Sequence, residues 1–298
     1  MFKKKRVVAR LFGGLGNQIF IYAYARALSL RNNCELYLDT RSGFINDPYK
    51  RKFSLKPFIL SDYKESSLLN FDFIGGKYLK KIIKKYNDLF ISDVKRKFFV
   101  SEPSSSYFNE DYKSIFIRKT IWIEGYWQSP LYFEDIKKII HNDFMINTPL
   151  SFKTKEIAEK IKNTNSICIH IRRLRNEIVG EDKAIIKTLP LSYYYQAISL
   201  LIKDVKKPAF FCFSDNPTWA KENIEMNFPV IFIDHNFSDN LIHEDLYLMS
   251  LCKHFIISNS TFSWWGAWLS VENNKSVICP NENYWDNKSI LPEDWICL

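Results

Sequence analysis

Glycine and proline are scarce in this chain, at 9 and 11 of 298 residues. So few turn-forming residues exclude a flexible linker protein, a collagen-like chain and a Gly/Pro-rich disordered one. No run of 18 apolar residues occurs, so the sequence gives no signal for a membrane-spanning helix. The opening MFKKKRVVARLFGGLG is basic and then apolar, but its apolar part is short and runs into glycines and Asn17-Gln18. It reads poorly as a signal peptide. The six cysteines are widely spaced and form no CxxC, which argues against a disulfide framework or a zinc site. Cys168, Cys212, Cys252 and Cys279 lie in or beside apolar runs, where a reduced thiol packs as a small hydrophobe. The expectation is a soluble, cytoplasmic protein of a reducing compartment.

Aromatic residues are abundant, with 24 Phe, 16 Tyr and 8 Trp. They imply large cores and some exposed aromatic surface. The length fits about two domains, and a chain of this size buries about three-quarters of its unfolded surface without a disulfide or metal. Lys and Arg outnumber Asp and Glu by 42 to 33, a net charge of +9. A basic balance fits peripheral contact with an anionic membrane. The segment Lys77–Lys85 (KYLKKIIKK) is one candidate patch, although it reads equally as a solvated helix face. Interspersed acidic residues and the lack of a basic recognition helix weigh against nucleic acid.

The hydrophobic pattern has an α/β rhythm. Val7–Phe12 reads as a strand, Gly13–Gln18 as a tight turn, Ile19–Leu30 as a helix and Leu36–Leu38 as a second strand. Ile115–Ile123 reads as a strand, and Leu131–Ile140 as a helix entered through Ser129-Pro130. The polar stretch 142–165 marks a domain boundary, giving domains 1–150 and 151–298. The second half shows strands at Ser166–Ile171, Ala209–Phe213, Val230–Ile233, His254–Ile257 and Ser276–Cys279, with helices between them. Four of these strands end in polar groups: His170/Arg172, Ser214/Asp215, Asp234/His235 and Ser258–Thr261. In an open parallel sheet such groups converge where ligands bind.

Each cluster has a functional and a structural reading. Gly13-Gly14-x-Gly16-Asn17-Gln18 places close-approach glycines and two amides at a helix N-terminus, which favours an anion, yet it matches neither the dinucleotide fingerprint nor the P-loop. It can equally be a structural turn. Arg172 and Arg173 suit a pyrophosphate, or a surface ion-pair cluster with Glu177, Glu181 or Asp182. Ser214-Asp215 can recognise a hydroxyl or base, or cap the helix after Pro217. Asp245 can do the same or serve only the helix dipole. Ser258–Thr261 exceeds what one cap needs, and its amides and hydroxyls can hold phosphate. Trp264, Trp265 and Trp268 can form a sugar platform or a core, with Gly266 pointing to close packing.

Several blocks together carry a family resemblance. They are Gly13-Gly14-Leu15-Gly16-Asn17-Gln18-Ile19-Phe20, Gly125-Tyr126-Trp127-Gln128-Ser129, His170-Ile171-Arg172-Arg173, Phe213-Ser214-Asp215, Asp245–Ser250 and Ile257–Leu269. In this order, covering nearly the whole chain, they resemble the bacterial α-1,2-fucosyltransferase family (glycosyltransferase family 11). The last block is the most specific.

The resemblance implies a GT-B fold, two Rossmann-like domains facing across a cleft, and metal-free inverting transfer of L-fucose from GDP-β-L-fucose to a galactoside hydroxyl. The acceptor would be a galactose-terminated oligosaccharide or a lipid-linked glycan. The first domain would take the acceptor side and the second the GDP-sugar. The implied donor-binding set is Gly14, Asn17, Gln18, His170, Arg172, Arg173, Ser214, Asp245, Asn259, Ser260 and Thr261. Arg172 would stabilise the leaving pyrophosphate. Glu181 is the first choice for the base, with Glu177, Asp182 and Asp215 behind it. The chain carries Leu174-Arg175-Asn176 where the family usually has Gly-Asp-Tyr, and Asn216 where it has a second aspartate. Two other readings stay open: the same fold using another GDP-sugar such as GDP-colitose or making another linkage, and a non-catalytic glycan- or nucleotide-binding protein.

Overall fold

The computed structural model describes residues 4–61, 63–66, 85, 98–102, 107–173, 188–234 and 241–298. Most of the basic segment 77–85, the run Lys95–Lys97, the departure at Leu174–Asn176, the acidic residues Glu177, Glu181 and Asp182, and His235 lie outside the described residues. The chain divides into two compact units. The first is Met1–Asn147 with Asn287–Ile290, and the second is Thr148–Asp286 with Leu291–Leu298.

The first unit holds a five-stranded parallel sheet of β1 (Arg6–Arg10), β2 (Glu35–Asp39), β3 (Tyr63–Glu65), β4 (Phe99–Ser101) and β5 (Thr120–Glu124). The strand order is β3-β2-β1-β5-β4. The chain moves outward from β1 to β3 on one side, and β4 and β5 fill the other. The order therefore reverses between β1 and β5. Helix α1 (Leu15–Arg31) follows β1 and is apolar almost all round. Such a helix belongs in a core, and residues from Leu15 to Ser29 are buried nearly throughout. Its tyrosines find partners: the Tyr22 hydroxyl donates to Asp143 at 2.8 Å, and that of Tyr24 to the Tyr112 carbonyl at 2.9 Å.

Two sequence expectations fail in this unit. Of Ile115–Ile123, only the end joins a strand, because β5 begins at Thr120. Ile115 and Ile117 are buried without pairing in the sheet. The stretch Leu131–Ile140 is not one helix. After a single helical turn, α2 (Glu110–Lys113), the chain makes two 3-10 turns, Pro130–Tyr132 and Glu134–Ile136, before α3 (Lys137–Asp143). Phe133, fully buried, interrupts the helical geometry to reach the ring of Phe20.

The second unit opens with α4 (Phe152–Lys162), capped by the Ser151 side chain. Its six-stranded parallel sheet holds β6 (Asn165–Ile171), β7 (Pro208–Ser214), β8 (Val230–Phe232), β9 (His254–Ile256), β10 (Val277–Cys279) and β11 (Ile296–Cys297). The order is β11-β10-β9-β6-β7-β8, so the reversal falls between β6 and β9. The connecting helices are α5 (Leu191–Asp204), α6 (Pro217–Asn223), α7 (Ile242–Ser250) and α8 (Thr261–Leu269). Alternation along β6 sends Ile167, Ile169 and Ile171 into one cluster with Tyr194, Ala197 and Leu201 of α5. His170 is left for the other face. Helices α7 and α8 approach closely because Gly266 has no side chain: a Cβ there would stand 2.7 Å from that of Met249. The tryptophan platform is a core instead. Trp264 and Trp265 are fully buried, and Trp264 stacks on Trp268 at 6.0 Å. Both units are parallel sheets with flanking helices, the two Rossmann-like domains of a GT-B fold.

Candidate active site

A parallel sheet places all strand ends of one sense on one edge. In the second unit this edge carries His170 near the end of β6 with Arg172 and Arg173 after it, Ser214 at the end of β7 with Asp215 after it, and Ser258–Thr261 after β9. These strands are neighbours in the sheet, and the reversal between β6 and β9 lies among them. Outward-diverging connections open a crevice at such a point. The side chains of His170 and Ser258 span it, with Nδ1 and Oγ 2.8 Å apart. His170 is buried, and its ring lies 6.0 Å from that of Phe262 at the start of α8. Burial, with the positive charge of Arg172 adding to it, pushes the imidazole down to about 3. His170 is therefore neutral at pH 7 and holds Ser258 as a dipole.

The two arginines are held differently. The backbone N–H of Arg173 donates to Asp215 Oδ1 at 2.6 Å, tying the end of β6 to the end of β7. The Arg173 guanidinium lies 3.8 Å from the centre of the Trp219 ring on α6. That contact orients the charge without neutralising it. Arg172 is half-buried, next to the neutral His170. The capping reading of Ser214-Asp215 is corrected: Asn216 caps α6, accepting from the Trp219 N–H at 3.1 Å, while Ser214 Oγ accepts from the Asn216 N–H at 3.0 Å. Ser214 thus shapes the turn, and the Asp215 carboxylate holds Arg173.

The turn after β9 ends in Ser260, the N-cap residue of α8. Its extended backbone suits that position, but its side chain makes no capping hydrogen bond. Its N–H donates to the Ser258 carbonyl at 2.8 Å. The first-turn amides of α8 and the helix dipole point to the edge that carries the arginines, an arrangement favourable to an anion. Asn259 reaches the Tyr284 carbonyl at 3.5 Å, and Thr261 opens the helix. Asp245 stands on the first turn of α7 beside Glu244. Glu244 escaped the sequence reading. It is buried and accepts from the Ser151 N–H at 2.9 Å, from the Ser151 hydroxyl at 2.7 Å and from the Thr154 hydroxyl at 2.5 Å. These bonds hold its carboxyl below the usual range despite burial. It fastens α7 to the start of α4.

The first unit has its own reversal point, between β1 and β5. There Arg10 and Glu124 form an ion pair at 2.6 Å, and Arg10 also donates to the Ser42 hydroxyl and carbonyl, each at 3.0 Å. The glycine turn follows β1. Gly13 has φ +80°, and a Cβ there would stand 2.9 Å from Asn17 Nδ2. Gly14, the N-cap residue of α1, faces open space. Asn17 Oδ1 accepts from Gln128 Nε2 at 3.0 Å, which joins the first two motif blocks. Gln18 braces the turn. Fully buried, it donates to the carbonyls of Gly13 and Lys52 at 2.9 and 3.0 Å and accepts from the Ser54 N–H at 2.9 Å.

Glu102, also missed, explains the second block. Its carboxylate accepts from the N–H groups of Tyr126 at 2.6 Å and Trp127 at 2.9 Å. Only glycine fits at 125, where a Cβ would come within 2.3 Å of Glu102 Cβ. Of the sequence-selected residues, the structure brings His170, Arg172, Arg173, Ser214, Asp215 and Ser258–Thr261 to one sheet edge, and Gly14, Asn17 and Gln18 to one turn of the other unit. Among the described residues, no group of three or more His, Cys, Asp or Glu is placed to hold a metal ion. Among them, too, no helix is long and apolar enough to cross a membrane.

Comparison with known proteins adds the family context. The model of glycosyl transferase family 11 matches residues 12–298. The chain is 32% identical to an alpha-1,2-colitosyltransferase of Escherichia coli, over 97% of this chain and 98% of that protein. It is 30% identical to the O-antigen biosynthesis glycosyltransferase WbnK of Escherichia coli, over 97% and 99%. Among solved structures, NodZ alpha-1,6-fucosyltransferase co-crystallized with GDP superposes with a TM-score of 0.56 at 12% identity, covering 89% of this chain and 92% of that one.

Proposed function

The chain belongs to glycosyl transferase family 11, and from that premise we propose that it is an inverting enzyme transferring L-fucose from GDP-β-L-fucose to a galactoside hydroxyl in α-1,2 linkage. The observation that carries this reading is the gathering of Arg172, Arg173 and the Ser258–Thr261 turn at the reversal point of the second sheet. Two arginines and a helix N-terminus without a side-chain cap, carried on one sheet edge, suit a pyrophosphate without a metal. We assign GDP-sugar binding to the second unit and the acceptor side to the first. The acceptor oxygen attacks the anomeric carbon while the bond from that carbon to the β-phosphate oxygen breaks. Charge builds on the departing GDP, where Arg172 and the α8 amides stabilise it. The acceptor proton passes to a carboxylate, for which Glu181 is our assignment. Asp215, engaged with the Arg173 N–H, acts as a positioning residue. Ser260 and Thr261 face the phosphates, His170 and Asp245 the guanosine. The glycans made are surface or lipid-linked, as the O-antigen role of WbnK supports, and the basic surface favours work beside an anionic membrane.

A second donor is favoured by one observation, the near-full-length similarity to a colitosyltransferase. Colitose is L-fucose without its 3-hydroxyl. A site with a hydrogen-bonding group for that hydroxyl rejects colitose by about 10⁴-fold, whereas an apolar lining admits both sugars. The test is to assay purified protein in EDTA with GDP-fucose, GDP-colitose and GDP-mannose against galactosides. Transfer from GDP-fucose, with kcat/KM reduced about 100-fold or more in Arg172→Ala, is expected. Preferred transfer from GDP-colitose selects the second donor. Activity restored only by Mg²⁺ or Mn²⁺, or unchanged in Arg172→Ala, overturns the site.

A further inference from the structure

The transferase reading leaves the cysteines unused. Cys168, Cys212 and Cys252 are buried in the second unit. The other two of that unit are arranged differently. Strands β10 and β11 pair in parallel with Cys279 directly opposite Cys297. Directly paired residues point to one face of a sheet, and the two sulfurs lie 3.4 Å apart. Cys279 is buried and Cys297 is exposed. One thiol is therefore open to a reagent in solvent, and the second waits beside it.

The backbone needs little change to join them. Adjacent strands run about 4.8 Å apart, inside the Cα separation of roughly 4.4–6.8 Å that a disulfide spans. Side-chain rotation alone must bring the sulfurs to about 2.05 Å. The position also has a consequence. The chain between the two cysteines leaves the second unit for Asn287–Ile290, which belong to the first, and returns at Leu291. The β10–β11 pair is the root of that excursion, held by the Leu298 N–H on the Cys279 carbonyl at 3.0 Å and the Asn281 N–H on the Leu298 carbonyl at 2.8 Å. The Asn281–Tyr284 turn lies within it, and the Tyr284 carbonyl receives Asn259 of the phosphate turn.

We propose that Cys279 and Cys297 are a thiol–disulfide exchange site, at which a low-molecular-weight disulfide converts the pair to an intramolecular disulfide that locks β11 to β10. The Cys297 thiolate attacks one sulfur of the small disulfide, forming a mixed disulfide and releasing one small thiolate. The Cys279 thiolate then attacks the Cys297 sulfur and releases the second. The protein pair loses two electrons and two protons, and the small disulfide is reduced to two thiols. Burial, and the neighbouring Cys297, raise the Cys279 thiol well above its ordinary value. Exposed Cys297 thus reacts first and resolution by Cys279 is the slow step, faster at higher pH.

The experiment incubates the full reduced chain with oxidised glutathione and maps its peptides without reduction. The expected result is loss of two of the six free thiols, one peptide pair joined through Cys279 and Cys297, and slower amide exchange at Asn281 and Leu298. Closing a loop of this length also raises the melting temperature by roughly 5 °C. Cys297→Ser abolishes the cross-link, and Cys279→Ala stops the reaction at a glutathione adduct on Cys297. If Cys279→Ala does not fold, the edge variant Cys297→Ser and the map of the unaltered chain still decide. A glutathione adduct that persists on Cys297 in the unaltered chain, an unreacted Cys297, or a cross-link between two chains overturns the proposal. None of these outcomes depends on sugar transfer.

Discussion

His170 offers a sharp test of the site's electrostatics. An exposed histidine titrates near pH 6.5, whereas burial beside Arg172 pushes His170 down to about 3. Between those values the unfolded chain binds a proton that the folded chain refuses. Stability therefore rises with pH through this window, and protonation of the unfolded state withdraws it as pH falls. The contribution is about 1.4 kcal/mol per pH unit inside the window, which amounts to about 2 kcal/mol between pH 7 and pH 5. His170→Asn keeps a polar atom near the place of Nδ1, so the contact with Ser258 can survive while the titration is removed. Urea unfolding of both proteins from pH 7 to pH 5 isolates the effect, because His243 and His254, also shifted downward by burial, titrate in both. The variant is expected to lose about 2 kcal/mol less stability over this range than the unaltered chain. Parallel stability curves, or a ring resonance of His170 titrating near 6.5, would refute the reasoning.

Two further perturbations test the supports. Gln18→Leu leaves the Gly13 carbonyl and two neighbouring backbone groups without their amide partner. It should cost about 2–3 kcal/mol and lower the melting temperature by roughly 5–10 °C; a shift under about 1 °C would show that Gln18 is no brace. Trp219→Ala removes the surface under the Arg173 guanidinium. Calorimetry should show GDP binding weakened by about 3- to 30-fold, with Trp219→Phe largely restoring it, and unchanged affinity would remove Trp219 from the site.

The alternating strands and helices were legible because their residues satisfy local rules. Ile167, Ile169 and Ile171 keep a strict period of two, and α1 is apolar almost all round. The short strands β3, β4 and β11 were not legible. With two or three residues they carry no measurable period, no more than β8, β9 and β10, which only the regular rhythm of strand and helix along 166–279 marked; pairing with a neighbour far along the chain makes them strands. The lost helix at Leu131–Ile140 has the same origin. Its local propensity yields to the burial of Phe133 against Phe20.

The strand-end residues His170, Arg172, Arg173, Ser214, Asp215 and Ser258–Thr261 could be named from sequence because polar groups closing apolar runs stand out. Their convergence could not. It depends on β9 lying beside β6 rather than beside β8, a choice made by the packing of whole helices against the sheet. The same is true of the supports. Glu102, Trp219 and Glu244 act on partners 25, 46 and about 90 positions away, and no local pattern marks a side chain whose partner is that remote. By itself the sequence determined which residues alternate, which glycines stand at turns and which polar groups end strands, since each follows from interactions within a few positions. Tertiary structure alone decided which of those groups share an edge, and whether a buried polar side chain is a ligand or a brace. Both outcomes rest on desolvation and hydrogen bonding between segments that the chain brings together only on folding.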